Sequence, residues 1–153
     1  MNFNNFTIKS QEAIQKAVDY TTRGGGQSVE PVHLLRATID VGDSLVDFIF
    51  QKLGVAKQSL VQWCDRSIAS QPRVSGGNPY LSNDSNKVLQ RAQDYSTQRG
   101  DRFVAIESLL MALFLVKSEA STYLRDAGVA EKKPVLDGRY MSIIITPVKP
   151  EKK

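Results

Sequence analysis

An all-α globule, built from two copies of one helical unit around a pseudo-two-fold axis, is the fold class this sequence predicts. The stretch 99–115, RGDRFVAIESLLMALFL, has the same grammar as 24–39, GGGQSVEPVHLLRATI, 75 residues earlier. Val29 matches Val104, Leu34 and Leu35 match Leu109 and Leu110, and Ala37 matches Ala112. Apolar residues on either side of both stretches recur at helical spacing. A chain of 153 residues, 41% hydrophobic and 24% charged, is long enough to bury a core of its own. One such unit cannot close its own apolar face, so the two copies are expected to share one core of about seven helices.

In order along the chain, Thr7 stands as N-cap before a helix over 8–22, in which Ile8, Ala13, Ile14, Ala17, Val18 and Thr21 recur at helical spacing. Arg23 and three glycines stop it. Pro31, after Glu30 as candidate cap, opens a second helix that buries Leu34, Leu35, Thr38 and Ile39. Gly42 and Asp43 are expected to end it. Ser44 is placed to cap a third helix, 45–53, presenting Leu45, Phe48, Ile49 and Leu53 to the core, with Gly54 closing it. A fourth, near 56–69, carries Leu60, Val61, Trp63, Cys64 and Ile68.

The segment 71–80, QPRVSGGNPY, holds two prolines and a Gly-Gly pair and reads as the surface linker between the copies. Ser82 then caps a helix over 83–98, whose Val88, Leu89, Ala92 and Tyr95 fall 75 residues after Ala13, Ile14, Ala17 and Tyr20. Helices over 106–116 and 119–127 follow, the last ending at Gly128 as its counterpart ends at Gly54, an offset of 74.

Composition excludes several function classes. One cysteine, Cys64, and one histidine, His33, make neither an internal disulfide nor a metal cluster. Cys64, among apolar neighbours, reads as a small buried hydrophobe. The net charge of +4 is concentrated at the end: residues 1–129 hold 14 Lys and Arg against 13 Asp and Glu, and residues 130–153 hold 6 against 3. With no basic stripe on any helix, nucleic-acid binding by the globular part is not expected. No apolar run reaches the roughly 20 residues of a membrane helix and the first residues lack a signal peptide's regions, so a cytoplasmic, membrane-free protein is expected. Gly24-Gly25-Gly26 lacks the Gly-Lys-Ser/Thr of a phosphate loop, so neither ATP nor another cofactor is expected.

Read together, both copies resemble the Clp amino-terminal domain, the double-repeat module of Clp unfoldases and disaggregases. FTIKSQEAIQKAV, EPVHLL and above all PRVSGGNPYLS followed by RGDRFV are similar to the ClpB branch. The resemblance spans 1–129, as repeat one (1–70), linker (71–80) and repeat two (81–129), and leaves 130–153 as an atypical basic tail. It implies a non-catalytic module that contacts unfolded or aggregated polypeptide and assists a Clp ATPase ring. A free-standing adaptor or competitor docking on a Clp unfoldase or protease is the alternative.

By the same resemblance the implicated positions are Thr7, Asp101 and Glu107, beside apolar Phe103, Leu109 and Leu110. On the residues themselves, Thr7 is a structural cap, Asp101 suits a turn, and Glu107 complements the positive end of a helix that Ala105 caps poorly. Asp101 and Glu107 as a catalytic carboxylate pair have no His, Cys or metal site beside them. Related Clp domains that recognise phosphorylated arginine look to carry a Glu-His pair at this helix start. Val32-His33 and Glu107-Ser108 each lack one partner, so that specificity is not expected.

The tail departs from the family. Pro134 falls at the place of Leu60, where an eighth helix would otherwise run, and a proline inside a helix costs about 3 kcal/mol. The run 139–148, RYMSIIITPV, predicts an extended strand that folds back on the apolar surface near Leu124, or otherwise pairs with another chain.

Overall fold

The computed structural model describes residues 3–74 and 77–126. Among these are six helices and two short strands: α1 (Ile8–Arg23), β1 (Ser28–Val29), α2 (Pro31–Leu53), α3 (Lys57–Ala69), β2 (Tyr80–Leu81), α4 (Asn83–Arg99), α5 (Ile106–Leu115) and α6 (Glu119–Asp126). The expected tail strand, the proline at 134 and the stop at Gly128 lie outside the described residues.

Helix α1 starts where its cap chemistry dictates: Thr7 is extended, and its hydroxyl accepts from the Ser10 amide at 3.1 Å. The buried stripe is Ser10, Ala13, Ile14, Ala17 and Thr21. Ile8, expected on that stripe, is 69% exposed. At 100° per residue it lies about 140° around the helix from Ala13, which turns it to the surface.

Helix α2 holds the expected pair of helices in one span: the first ends at the Gly42-Asp43 break, where the φ of 49° and ψ of −130° at Asp43 are not helical, and the second runs on to Leu53. Beyond that kink the buried residues are Val46, Ile49 and Phe50, while Leu45 and Phe48 are each 39% exposed. The non-helical residue rotates the second half so that the face one position further along meets the core. Gly54, left-handed at φ 75°, ends the helix as expected.

The two repeats are joined by reciprocal pairing. Tyr80 and Leu81, the lead-in to α4, run parallel to Ser28 and Val29 in the turn of repeat one. Phe6, the lead-in to α1, bridges in the same sense to Val104 in the turn of repeat two. Residues 6 and 81, and 29 and 104, are each 75 apart, so every lead-in pairs with the other copy's turn. The cap residues follow: the Thr7 amide donates to the Val104 carbonyl at 3.0 Å, and the Ser82 amide to the Val29 carbonyl at 3.1 Å. Ser82 caps α4 through Ser85, as Thr7 caps α1 through Ser10.

Helix α5 is the centre of the shared core, with Leu110, Met111, Ala112 and Leu113 fully buried. In α6, Ala120 and Leu124 are buried as Val46 and Phe50 are, 74 residues earlier. The side of Trp63 on α3 stacks on Tyr123 of α6 with ring centroids 4.4 Å apart. The described part of the linker lies on the surface, tied down where Val74 and Tyr80 amides donate to the carbonyls of Gly25 and Gln27, both at 2.9 Å.

Candidate functional site

Three chain segments meet at a groove of about 420 Å³: the start of α1 (Thr7, Lys9), the kink of α2 (Gly42 to Leu45) and the start of α5 (Ala105 to Glu107). The Phe6–Val104 bridge brings the first and third together, since it places the N-terminal ends of α1 and α5 side by side. Gly42 brings in the second. A Cβ on Gly42 would lie 3.4 Å from Ile106 Cγ2, so the kink rests directly on the first turn of α5.

Electrostatically the groove is divided. On one rim Lys9 Nζ pairs with Asp43 Oδ2 at 3.1 Å and reaches the Val41 carbonyl at 3.4 Å, both partners well exposed. On the other, Glu107 stands half-buried in the first turn of α5, without a cation at ion-pair distance among the described residues. Ala105 supplies no side-chain cap, so the positive end of α5 is offset by the Glu107 carboxylate alone. Exposed apolar surface lines the groove at Leu45.

The six residues expected at a site do not all meet there. Thr7 and Glu107 line the groove. Thr7 is committed to its cap: its hydroxyl takes the Ser10 amide and donates to Ser10 Oγ at 2.9 Å. Asp101 lies in the turn before β-bridge residue Val104, its amide on the Ser96 carbonyl and its carboxylate 3.6 Å from Arg99 Nε, and it does not line the groove. Asp101 and Glu107 do share a neighbour, since both charges, after burial, push the Tyr95 phenol's pKa up. Phe103 is 46% exposed, with the Arg102 guanidinium 5.7 Å from its ring centre.

Leu109 and Leu110 are a correction. They are 2% and 0% exposed and belong to the core, because they lie on the face of α5 that packs against the rest of the molecule. Lys9, Asp43 and Leu45 line the groove and were not among the expected residues. The Gly42-Asp43 break was the signal available for them, but only the kinked path of α2 shows that it faces α5. Among the described residues no cluster of His, Cys, Asp and Glu could hold a metal, and Cys64 is buried with its thiol pushed up to about 12 by desolvation.

The reciprocal lead-ins, the shared core and the cleft between repeats define a tandem-repeat helical domain. Residues 5–127 match the Clp repeat (R) N-terminal domain, and the chain belongs to that family. It is 53% identical over 133 residues to the chaperone protein ClpB of Bacteroides thetaiotaomicron, covering 87% of this chain and 15% of that protein. Against the ClpB of Porphyromonas gingivalis it is 49% identical over 132 residues, covering 86% and 15%. The chain thus spans 15% of the length of these relatives. The fold is shared with the Hsp104 N-terminal domain from Candida albicans, at a TM-score of 0.75 and 16% identity over 98% of this chain and 95% of that one. The N-domain of ClpV from Vibrio cholerae gives 0.71 and 14% over 93% and 86%. No helix among the described residues is long and apolar enough to cross a membrane.

Proposed function

We propose that this domain is a non-catalytic module that binds unfolded or aggregated polypeptide at the groove between α1, the α2 kink and α5, and that it assists a Clp ATPase. The observation carrying this reading is the pairing, in one groove, of an unneutralised Glu107 at an uncapped helix start with exposed Leu45. An unfolded chain offers apolar side chains and basic groups together, and both find complements along this cleft. Asp101 and exposed Phe103 extend the same acidic and apolar character over the adjoining turn, and Thr7 holds the α1 end in place. On this reading the folded unit ends by residue 129, and 130–153 is a separate tail. Similarity to the ClpB relatives supports the chaperone setting.

The test is the double substitution Asp101→Ala and Glu107→Ala, followed by fluorescence anisotropy of a labelled, permanently unfolded model polypeptide. Binding is expected to weaken by several-fold. Stability should change by about 1 kcal/mol or less per acid, as Asp101 is exposed and the half-buried Glu107 makes no ion pair among the described residues. Unchanged affinity together with a collapsed melting temperature makes the two acids structural and removes the proposal.

A further inference from the structure

A second cavity, of about 310 Å³, lies on the linker side of repeat one, between the end of α1, the turn before α2 and the chain after α3. That is the lower end of the roughly 300–1,000 Å³ typical of small-molecule pockets. Its apolar walls include Ile68, Pro72 and Val74, and its polar wall is Glu30 and His33 at the start of α2.

His33 is 2% exposed. Its Nδ1 accepts the Glu30 amide at 2.9 Å, which requires the proton on Nε2. Burial lowers its pKa, so the ring stays neutral in that tautomer. The Nε2–H has no protein partner among the described residues and is not sealed in protein, since the buried side-chain polar atom left without a partner there is Thr38 Oγ1; the His33 ring instead lines the cavity. Repeat two shows the contrast: Ser96 and Ser108, at the places of Thr21 and His33, bond each other at 2.9 Å. There the same two positions satisfy one another; in repeat one Thr21 turns back to the Ala17 carbonyl and leaves the imidazole donor facing the cavity.

Charge narrows what fits. The Glu30 carboxylate, which accepts from Ser28 Oγ at 2.7 Å, opposes an anion. An amidinium or ammonium head carries donors only and would leave the Nε2–H without an acceptor. A neutral head with an acceptor for Nε2–H and a donor for Glu30 meets both conditions. We infer that this cavity binds a neutral carboxamide on an aromatic or branched apolar body, with His33 donating to its carbonyl and Glu30 accepting from its N–H. The site is independent of the groove and of the function proposed for it.

Three isosteric probes test it on the full chain: benzamide, benzoate and benzamidinium, titrated while the His33 ring nitrogens and the Ile68 methyls are followed by NMR. Benzamide is expected to shift both sets of signals and to bind at least tenfold more tightly than either charged analogue. Val74→Trp, a substitution at an exposed linker position that fills the mouth, should abolish the shifts and leave far-UV circular dichroism and binding at the α1–α5 groove unchanged. Displacement of benzamide by an unfolded polypeptide assigns the site to an amide carried on a bound chain. Persistence of benzamide assigns it to a free amide, and either outcome supports the pocket. Equal response to all three probes, no response at His33, or shifts that survive Val74→Trp with the fold intact overturns the inference.

Discussion

Gly42→Ala tests whether the close approach of the α2 kink to α5 builds both the fold and the groove. A Cβ at position 42 would lie 2.0 Å from Val46 Cγ2, 3.0 Å from Val46 Cβ and 3.4 Å from Ile106 Cγ2. Val46 is fully buried and β-branched, so it has essentially one helical rotamer and no free space to swing into. Forcing it off that rotamer costs about 0.5–1.5 kcal/mol, and overpacking of a filled core runs to about 1–3 kcal/mol in all. Against this, alanine gains up to about 1 kcal/mol over glycine in helix propensity. The net expectation is a loss of about 1–2 kcal/mol, a drop in Tm of roughly 3–10 °C for a domain of this size.

Chemical denaturation of four proteins, wild type, Gly42→Ala, Val46→Ala and the double variant, separates overpacking from other causes. Val46→Ala alone should cost about 2 kcal/mol through lost burial. In the double variant the new methyl occupies space that Val46 vacates, so Gly42→Ala should be neutral or stabilising in that background. A Gly42→Ala protein at least as stable as wild type refutes the reasoning. So does an equal loss in both backgrounds, which would mean that glycine is needed at position 42 for its backbone and not for the contact.

Two further outcomes concern the two ends of α1. Phe6→Ala removes a ring that is 1% exposed, stacks edge-on with Phe3 at 5.3 Å and anchors the bridge to Val104; it should cost about 3–5 kcal/mol by denaturant titration and weaken polypeptide binding as the starts of α1 and α5 separate. The Tyr20 phenol donates to Asp40, which also takes Arg36 Nη1 at 2.5 Å, and burial followed by that carboxylate raises the phenol to about 12 from the usual 10.0. A raised pKa means its stabilising contribution is complete below about pH 10 and is lost as pH rises through about 12. Tyr20→Phe should therefore cost about 1–2 kcal/mol at neutral pH, remove roughly one late-ionising phenol from an ultraviolet titration, and show a smaller stability loss than wild type between pH 10 and 12.

The duplication was legible because it rests on periodicity. Ala13, Ile14 and Ala17 and their counterparts Val88, Leu89 and Ala92 are buried as their spacing required, and the caps Thr7 and Ser82 start their helices where a hydroxyl can take an amide three residues on. What failed was local geometry that spacing does not encode. The break at Asp43 was expected, but its φ and ψ set the rotation of the helix that follows, so Val46 and Phe50 took the burial expected of Leu45 and Phe48. Leu109 and Leu110 were drawn to the site because they follow Glu107, yet Leu109 lies on the opposite face of the helix and Leu110, only about 60° around from Glu107, is fully buried in the core. The short strands escaped notice because two residues are too few for an alternating pattern; only the distance of 75 between Phe6 and Leu81, and between Val29 and Val104, marks them.

Those short pairings explain why the groove cannot belong to one repeat. Phe6 leaves its own copy to lie beside Val104, so the start of α1, which repeat one supplies, is held against the start of α5, which repeat two supplies. The α2 kink comes from repeat one again and rests on Ile106. Separating the copies would remove a wall of the cleft and expose the fully buried run from Leu110 to Leu113, which is the centre of the common core. Folding and assembly of the groove are therefore one event. The two repeats, having diverged at Glu107 and Val32 and at Ser108 and His33, bring different chemistry to the equivalent helix starts. One start presents an open carboxylate to the cleft between the copies; the other turns a neutral imidazole toward the linker.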